Sequence, residues 1–155
     1  MSDTFAQVAA LNARYARCID DGALGDWPAF FAEDCLYKVT TAENYKDGLE
    51  AGLIYADSRA MLVDRVSALS EANIYERHAY RHILGAPFIV EEGDDVARAE
   101  TSFLVVRIMR DGTTDVFASG RYVDVVRLGA GGPLFAERVV VCDSSRIDTL
   151  LALPL

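Results

Sequence analysis

The chain has 155 residues, with 15 Lys and Arg against 24 Asp and Glu and a formal charge of −9. That balance argues against a nucleic-acid or anionic membrane surface as the main partner. With 52% hydrophobic residues, the chain is expected to fold as one ordered domain over 1–155 with its own core.

No run of about 18 apolar residues is present, so no membrane-spanning helix is expected. Met1-Ser2-Asp3-Thr4 shows no basic region ahead of an apolar stretch, and a cytoplasmic protein is the expectation.

In chain order, Phe5, Val8, Leu11, Tyr15 and Ile19 recur at spacings of three and four, which predicts a helix over 4–20. Thr4 and Gln7 have the spacing of a capping box, and Gly22 suits a left-handed C-terminal cap. A short helix follows at 27–31, with Asp26 as its cap and Pro28 in its first turn. Trp27, Phe30 and Phe31 read as core. Residues 35–41 read as a strand. Gly48 and Gly52 interrupt 42–55, where Leu53, Ile54 and Tyr55 suggest a short strand or covered loop. A helix from Asp57-Ser58 to Leu69 places Met61, Leu62, Val66 and Leu69 on one side. The stretch 70–78 is polar.

Four strands then follow, at 79–90, 96–110, 115–128 and 134–142, joined by connections rich in Gly and Asp. In 96–110 the alternation changes near Phe103, which predicts a bulge, a bend or a second face that becomes buried. Gly120 in mid-strand predicts a sharp bend or a close backbone approach. At ~3.3 Å per residue, a strand of about 15 residues would run roughly 50 Å, too long for a small domain unless it curves. The expected architecture is α+β: N-terminal helices packed in a strongly curved, mostly antiparallel sheet. Arg98, Glu100, Arg121, Arg127, Glu137 and Arg138 are expected on its outer face, a mixture that suits a protein–protein interface as well as a solvated surface.

Cys18, Cys35 and Cys142 are widely spaced and read as small buried hydrophobes, with no C-x-x-C pair among them. The histidines are His78 and His82 alone, and no motif supplies a metal ligand set, a phosphate loop or a nucleophile elbow. No metal or cofactor is expected on this chain. A curved sheet over helices makes a conical pocket, for which Tyr15, Asp34, Tyr37, Tyr122, His78 and His82 are the candidate lining residues. His78 and His82 share a face, so a His–Asp acid/base pair with Asp34 is chemically open. A stand-alone isomerase or dehydratase would use it. The competing reading places Arg77, Arg81 and His82 beside Glu76 in a charged run paired at the surface.

The order of features carries a resemblance. Tyr15…Ile19-Asp20, Trp27…Phe30-Phe31…Asp34…Tyr37, Tyr55-Ala56-Asp57, Met61-Leu62…Arg65, Tyr80-Arg81-His82, Gly120…Asp124 and Val141-Cys142-Asp143 resemble the small (β) subunits of aromatic-ring-hydroxylating dioxygenases. The match runs along nearly the whole chain. Asn73 to His78, Tyr80 to Gly85 and Thr149 to Leu155 look most like the branch that acts on aromatic acids such as terephthalate. The resemblance implies a nuclear transport factor 2-like (cystatin-like) cone and a hexamer of three α and three β subunits. It implies a Rieske [2Fe-2S] cluster and a mononuclear non-heme iron on the α subunit, electrons delivered by a reductase, and no catalytic residue on this chain. Tyr75, Arg77, Arg81 and Arg121 are the expected subunit contacts, because Arg and Tyr are enriched at interface hot spots.

Overall fold

The computed structural model describes residues 3–49, 52–72, 78–146 and 153–155. Helix α1 spans Asp3–Asp20 and buries Val8, Leu11, Tyr15 and Ile19, the stripe expected from the spacing. Its C-terminus is a Schellman motif: Ala23 N–H reaches Cys18 O at 3.0 Å, Gly22 N–H reaches Ile19 O at 3.0 Å, and Gly22 sits at φ 75°. The N-terminal capping box is absent. The helix already begins at Asp3, and the Thr4 hydroxyl is turned to the Glu92 carboxylate.

The next element is a 3-10 helix over Leu24–Phe30, with Trp27 and Pro28 buried. Asp26 lies inside it rather than capping it, and the flanking Ala23 offers no side-chain cap. Strand β1 (Phe31–Thr41) follows, then a short α2 (Ala42–Lys46), β2 (Ile54–Ala56) and α3 (Arg59–Ala72). Thr41 Oγ1 accepts from Asn44 N–H to start α2, and Ser58 Oγ accepts from Met61 N–H ahead of α3. In α3 Leu62 is buried, with Val66 and Leu69 beside it, but Met61 is exposed. The 100° step from Leu62 back to Met61 turns that side chain off the buried face.

The rest is strand: β3 (His78–Leu84), β4 (Phe88–Glu92), β5 (Val96–Met109), β6 (Thr114–Gly129) and β7 (Gly132–Cys142). The strand expected over 79–90 is therefore two. Gly85 N–H still bonds Ser102 O at 2.9 Å, after which Ala86 and Pro87 leave the ladder, Pro87 having no N–H to donate. Both pieces run along the same edge of β5.

One seven-stranded sheet results, ordered β2-β1-β7-β6-β5-β3 with β4 also on β5. All pairings are antiparallel except β1 with β7. No bulge falls within β5, whose Ala97, Ala99, Thr101, Phe103 and Val105 are buried in turn; the extra residue is Phe117 of β6, since Val105 pairs Ala118 while Val106 pairs Val116. A second bulge leaves Ala136 unpaired in β7, between Phe135 and Glu137. Each kinks its strand and sharpens the twist. Gly120 is where β6 and β7 press closest, since a Cβ there would stand 2.0 Å from Val141 O. The concave side so formed receives α1, which packs on β3, β4 and β7, while α3 lies against β1, β2 and the 3-10 helix.

Candidate functional site

The cone interior holds aromatic rings from every part of the chain. Tyr15 of α1 stands edge-on to Phe31, Tyr122 and Phe135 at ring-centre distances of 6.2, 6.0 and 5.6 Å. Trp27 meets Phe31 and Tyr37 in the same geometry at 5.5 and 5.1 Å. Each such pair adds about 1 kcal/mol beyond the burial of its area.

At the centre lies a charge the sequence reading placed outside. Arg138 is 0% exposed, not on the outer face. Its Nε and Nη2 donate to Asp124 Oδ1 and Oδ2 at 2.9 and 2.8 Å, and Nη2 also reaches Asn12 Oδ1 at 2.5 Å. Asn12 in turn donates to Thr101 Oγ1 at 3.1 Å. The guanidinium carbon sits 3.7 Å from the Tyr122 ring centre, 3.9 Å from Phe135 and 4.4 Å from Tyr15. The Ala136 bulge is the reason: without it Arg138 would face away from Phe135, and with it the two share the concave side. Burial disfavours the charged guanidinium, but Asp124 outweighs it and holds Arg138 protonated. Burial pushes the Asp124 carboxyl up, against the pull of Arg138. Asp124 shares its parity with Tyr122 and Val126, so a carboxylate on an apolar face was the available signal that a buried cation must exist.

Residues 153–155 close the interior. Leu155 is 0% exposed, and its main-chain oxygen accepts from Tyr15 Oη at 2.6 Å and from Tyr37 Oη at 3.3 Å. Leu155 N–H returns a bond to Tyr37 Oη at 3.2 Å, and Tyr80 Oη reaches Leu153 O at 3.5 Å. Burial raises the pKa of Tyr15, and those of Tyr37 and Tyr122 further still. These hydroxyls stay neutral hydrogen-bonding groups.

Of the candidate cone residues, Tyr15, Tyr37 and Tyr122 are inside; Asp34 is not. It projects from β1 and is bidentate with Arg127 of β6, at 2.8 and 3.1 Å. His78 and His82 share one face of β3, as their parity required, but three strands separate β3 from β1. No Asp34–His pair forms. His82 instead meets Asp20, which sequence reasoning did not single out: Nδ1 lies 2.7 Å from Oδ1, and the His82 N–H donates to Oδ2 at 2.9 Å. The His82 side chain is 0% exposed, so it is neither a surface residue nor open to a substrate. That contact ties the end of α1 to β3. His78 packs on the Tyr80 ring at 5.3 Å.

Cys18, Cys35 and Cys142 are buried and unpaired by disulfide. Among the described residues no three His, Cys, Asp or Glu side chains gather as a metal site. A Rieske cluster needs two Cys and two His in one place, and the described residues bring no such set together. No described helix is long and apolar enough to cross a membrane. Of the expected subunit contacts, Arg81 and Arg121 lie on the convex face, exposed. Arg81 stands 3.9 Å from Asp20, and Arg121 pairs with Glu100 over the Tyr45 ring. Tyr75 and Arg77 fall outside the described residues.

Comparison with known proteins agrees with this arrangement. Residues 14–149 match the family model for the ring hydroxylating beta subunit. The chain is 54% identical over 149 residues to the terephthalate 1,2-dioxygenase terminal oxygenase component subunit beta 1 of Comamonas sp., covering 96% of this chain and 97% of that one. A solved beta subunit assigned to an aromatic-ring-hydroxylating dioxygenase of Novosphingobium aromaticivorans superposes with a TM-score of 0.88 at 41% identity, over 97% of each chain. An NTF2-like protein with a cystatin-like fold from the same organism reaches 0.66 at 22% identity, covering 94% of this chain and 86% of that one, a likeness of fold alone. The fold is thus the NTF2-like cone, and the chain belongs to the family of ring-hydroxylating dioxygenase β subunits.

Proposed function

We propose that the chain, as one domain over 1–155, is the non-catalytic β subunit of a Rieske non-heme iron dioxygenase that acts on an aromatic acid of the terephthalate type. The observation that carries this reading is the end-to-end likeness to the β subunit of a terephthalate 1,2-dioxygenase. In the complex, the α subunit carries the Rieske [2Fe-2S] cluster and the mononuclear iron, and a reductase supplies NAD(P)H-derived electrons. The ring is dihydroxylated to a cis-dihydrodiol on the α subunit. Three α and three β subunits assemble in the cytoplasm. The β chain contributes its convex sheet, where Ile83 stands exposed on the same side of β3 as Arg81 and Phe88 stands exposed on β4. Tyr75, Arg77, Arg81 and Arg121 are the proposed contacts.

The interior favours this over a stand-alone isomerase or dehydratase. Such an enzyme needs an acid/base pair open to a substrate, whereas Asp34 is tied to Arg127, His82 is closed off against Asp20, and Leu155 fills the cone.

Co-expression with the large subunit of a terephthalate-type dioxygenase from the same source tests the proposal. A single species is expected in size-exclusion chromatography at micromolar concentration, coloured by iron–sulfur absorption. Separate elution of the two chains would overturn the assignment. Single Ala substitutions at the four contact positions should each lower the retained hexamer, and full retention in all four discards those contacts.

A further inference from the structure

The convex face carries a groove over the middle of the sheet. It holds about 280 Å³ between Tyr45 of α2 and Val90 of β4, and is floored by Val123, Val125 and Val139. Alternation turns Val123 and Val125 away from the buried Tyr122, Asp124 and Val126. The charges around this floor follow the register. Arg98 of β5 pairs Val125 of β6, and Val125 pairs Glu137 of β7, so guanidinium and carboxylate stand one strand to either side of the valine. Both are exposed. Arg98 holds Glu91 loosely, at 3.6 Å between side chains in solvent, and Glu137 meets no cation among the described residues. Arg121 and Arg127, also on the outer side of β6, are already neutralised by Glu100 and Asp34.

We infer that this face docks a second copy of the same chain, related by a two-fold axis that runs along β6. Such an axis sets each outward β6 residue opposite its own copy and exchanges the strands on either side. Val123 and Val125 meet their counterparts at the centre, and Arg98 of one chain faces Glu137 of the other, a pair made twice. The row cation, valine, anion is its own complement when turned over. An axis along β5 or β7 would instead set Arg98 against Arg98 or Glu137 against Glu137. Arg121 and Arg127 fall on the axis row, but each brings its own carboxylate and does not oppose the contact. The formal charge of −9 repels two copies at long range. That field is screened within about 8 Å at physiological salt, so local complementarity decides the contact. The contact goes beyond the assembly with the α subunit: it belongs to the chain on its own and covers this face while that subunit is absent.

The test is sedimentation velocity on the isolated full-length chain at tens of micromolar. The expected species has twice the chain mass of 17.0 kDa. Arg98→Glu sets two carboxylates against each other at both ends of the contact, and Glu137→Arg sets two guanidiniums; each alone should give a monomer. The two together exchange the signs and should restore the dimer. Emission of the buried Trp27 and the melting temperature check that every variant is folded. The axis has its own readout. Val125→Cys should cross-link to its own copy under a copper–phenanthroline oxidant, while Glu137→Cys, held away from its copy, should not; the three natural cysteines are buried. A monomeric native chain overturns the inference, as does a three-chain species. So do single variants that stay dimeric, a double variant that stays monomeric, or cross-linking as fast at 137 as at 125. None of these outcomes bears on the assignment as a β subunit, because the α chain is absent from this experiment.

Discussion

Asp124 and Arg138 face each other directly across β6 and β7, joined by two hydrogen bonds of 2.8 and 2.9 Å, and neither side chain reaches solvent. Such a pair contributes less net stability than its geometry suggests, because both ions have left water. Breaking it is another matter. Arg138→Ala leaves the Asp124 carboxylate buried and alone, at a cost of about 3–5 kcal/mol. Replacing both with Leu and Met of similar volume should recover most of that loss. Urea unfolding of the two variants checks the expectation, and equal losses in both would show that the ion pair itself is irreplaceable.

Gly120→Ala tests the closest approach in the sheet. The added Cβ would fall 2.0 Å from Val141 O and 2.9 Å from Val141 C, both backbone atoms of the paired strand. A side chain could yield; a ladder strand cannot without separating β6 from β7. The expected cost is about 1–3 kcal/mol or more, read as a lowered melting temperature. Gly129→Ala, where a Cβ meets nothing, should be close to neutral and serves as control.

Much of this molecule could be read in advance where a period or a single residue type decides the outcome. The α1 stripe, its Gly22 cap, the aromatic core and the close approach at Gly120 are local rules acting locally. What escaped depends on register. Arg138 is expected outward beside Glu137 in the sequence, and it is the bulge at Ala136 that turns it onto the face of Phe135. Asp20 was not linked to His82 because 62 residues separate them, and only packing of α1 on β3 joins them. The filling of the cone by 153–155 is similarly a tertiary fact: nothing in Leu-Pro-Leu announces which cavity it enters.

The thiols give a third prediction. Burial pushes Cys142 up to about 12, helped by the neighbouring Asp143 charge. Burial also raises Cys18 and Cys35. Since the thiolate is the reactive form, none should react with Ellman's reagent at mildly alkaline pH while the chain is folded. All three of the chain's cysteines should react in concentrated guanidinium chloride. Rapid labelling of one thiol in the native protein would mean that its burial is not maintained in solution.

Asp34 and Arg127 supply a pH-dependent test that also bears on catalysis. Hydrogen bonds from Arg127 and its positive charge hold the Asp34 carboxyl below its ordinary value of 3.8, although the group lies at the surface. A carboxyl whose pKa is lower folded than unfolded adds stability above its unfolded value of about 3.9, and that stability disappears as pH falls through the folded value. Asp34→Asn should therefore melt slightly below the unsubstituted chain at neutral pH and low salt. The gap should close as pH falls through the lowered folded value, and should shrink in molar salt, where exposed pairs are screened. Oxygenase turnover in the assembled complex should be unchanged by the substitution, because Asp34 is bound to a structural arginine and not to a reacting group. A large loss of turnover with assembly intact would instead give Asp34 a role in the chemistry.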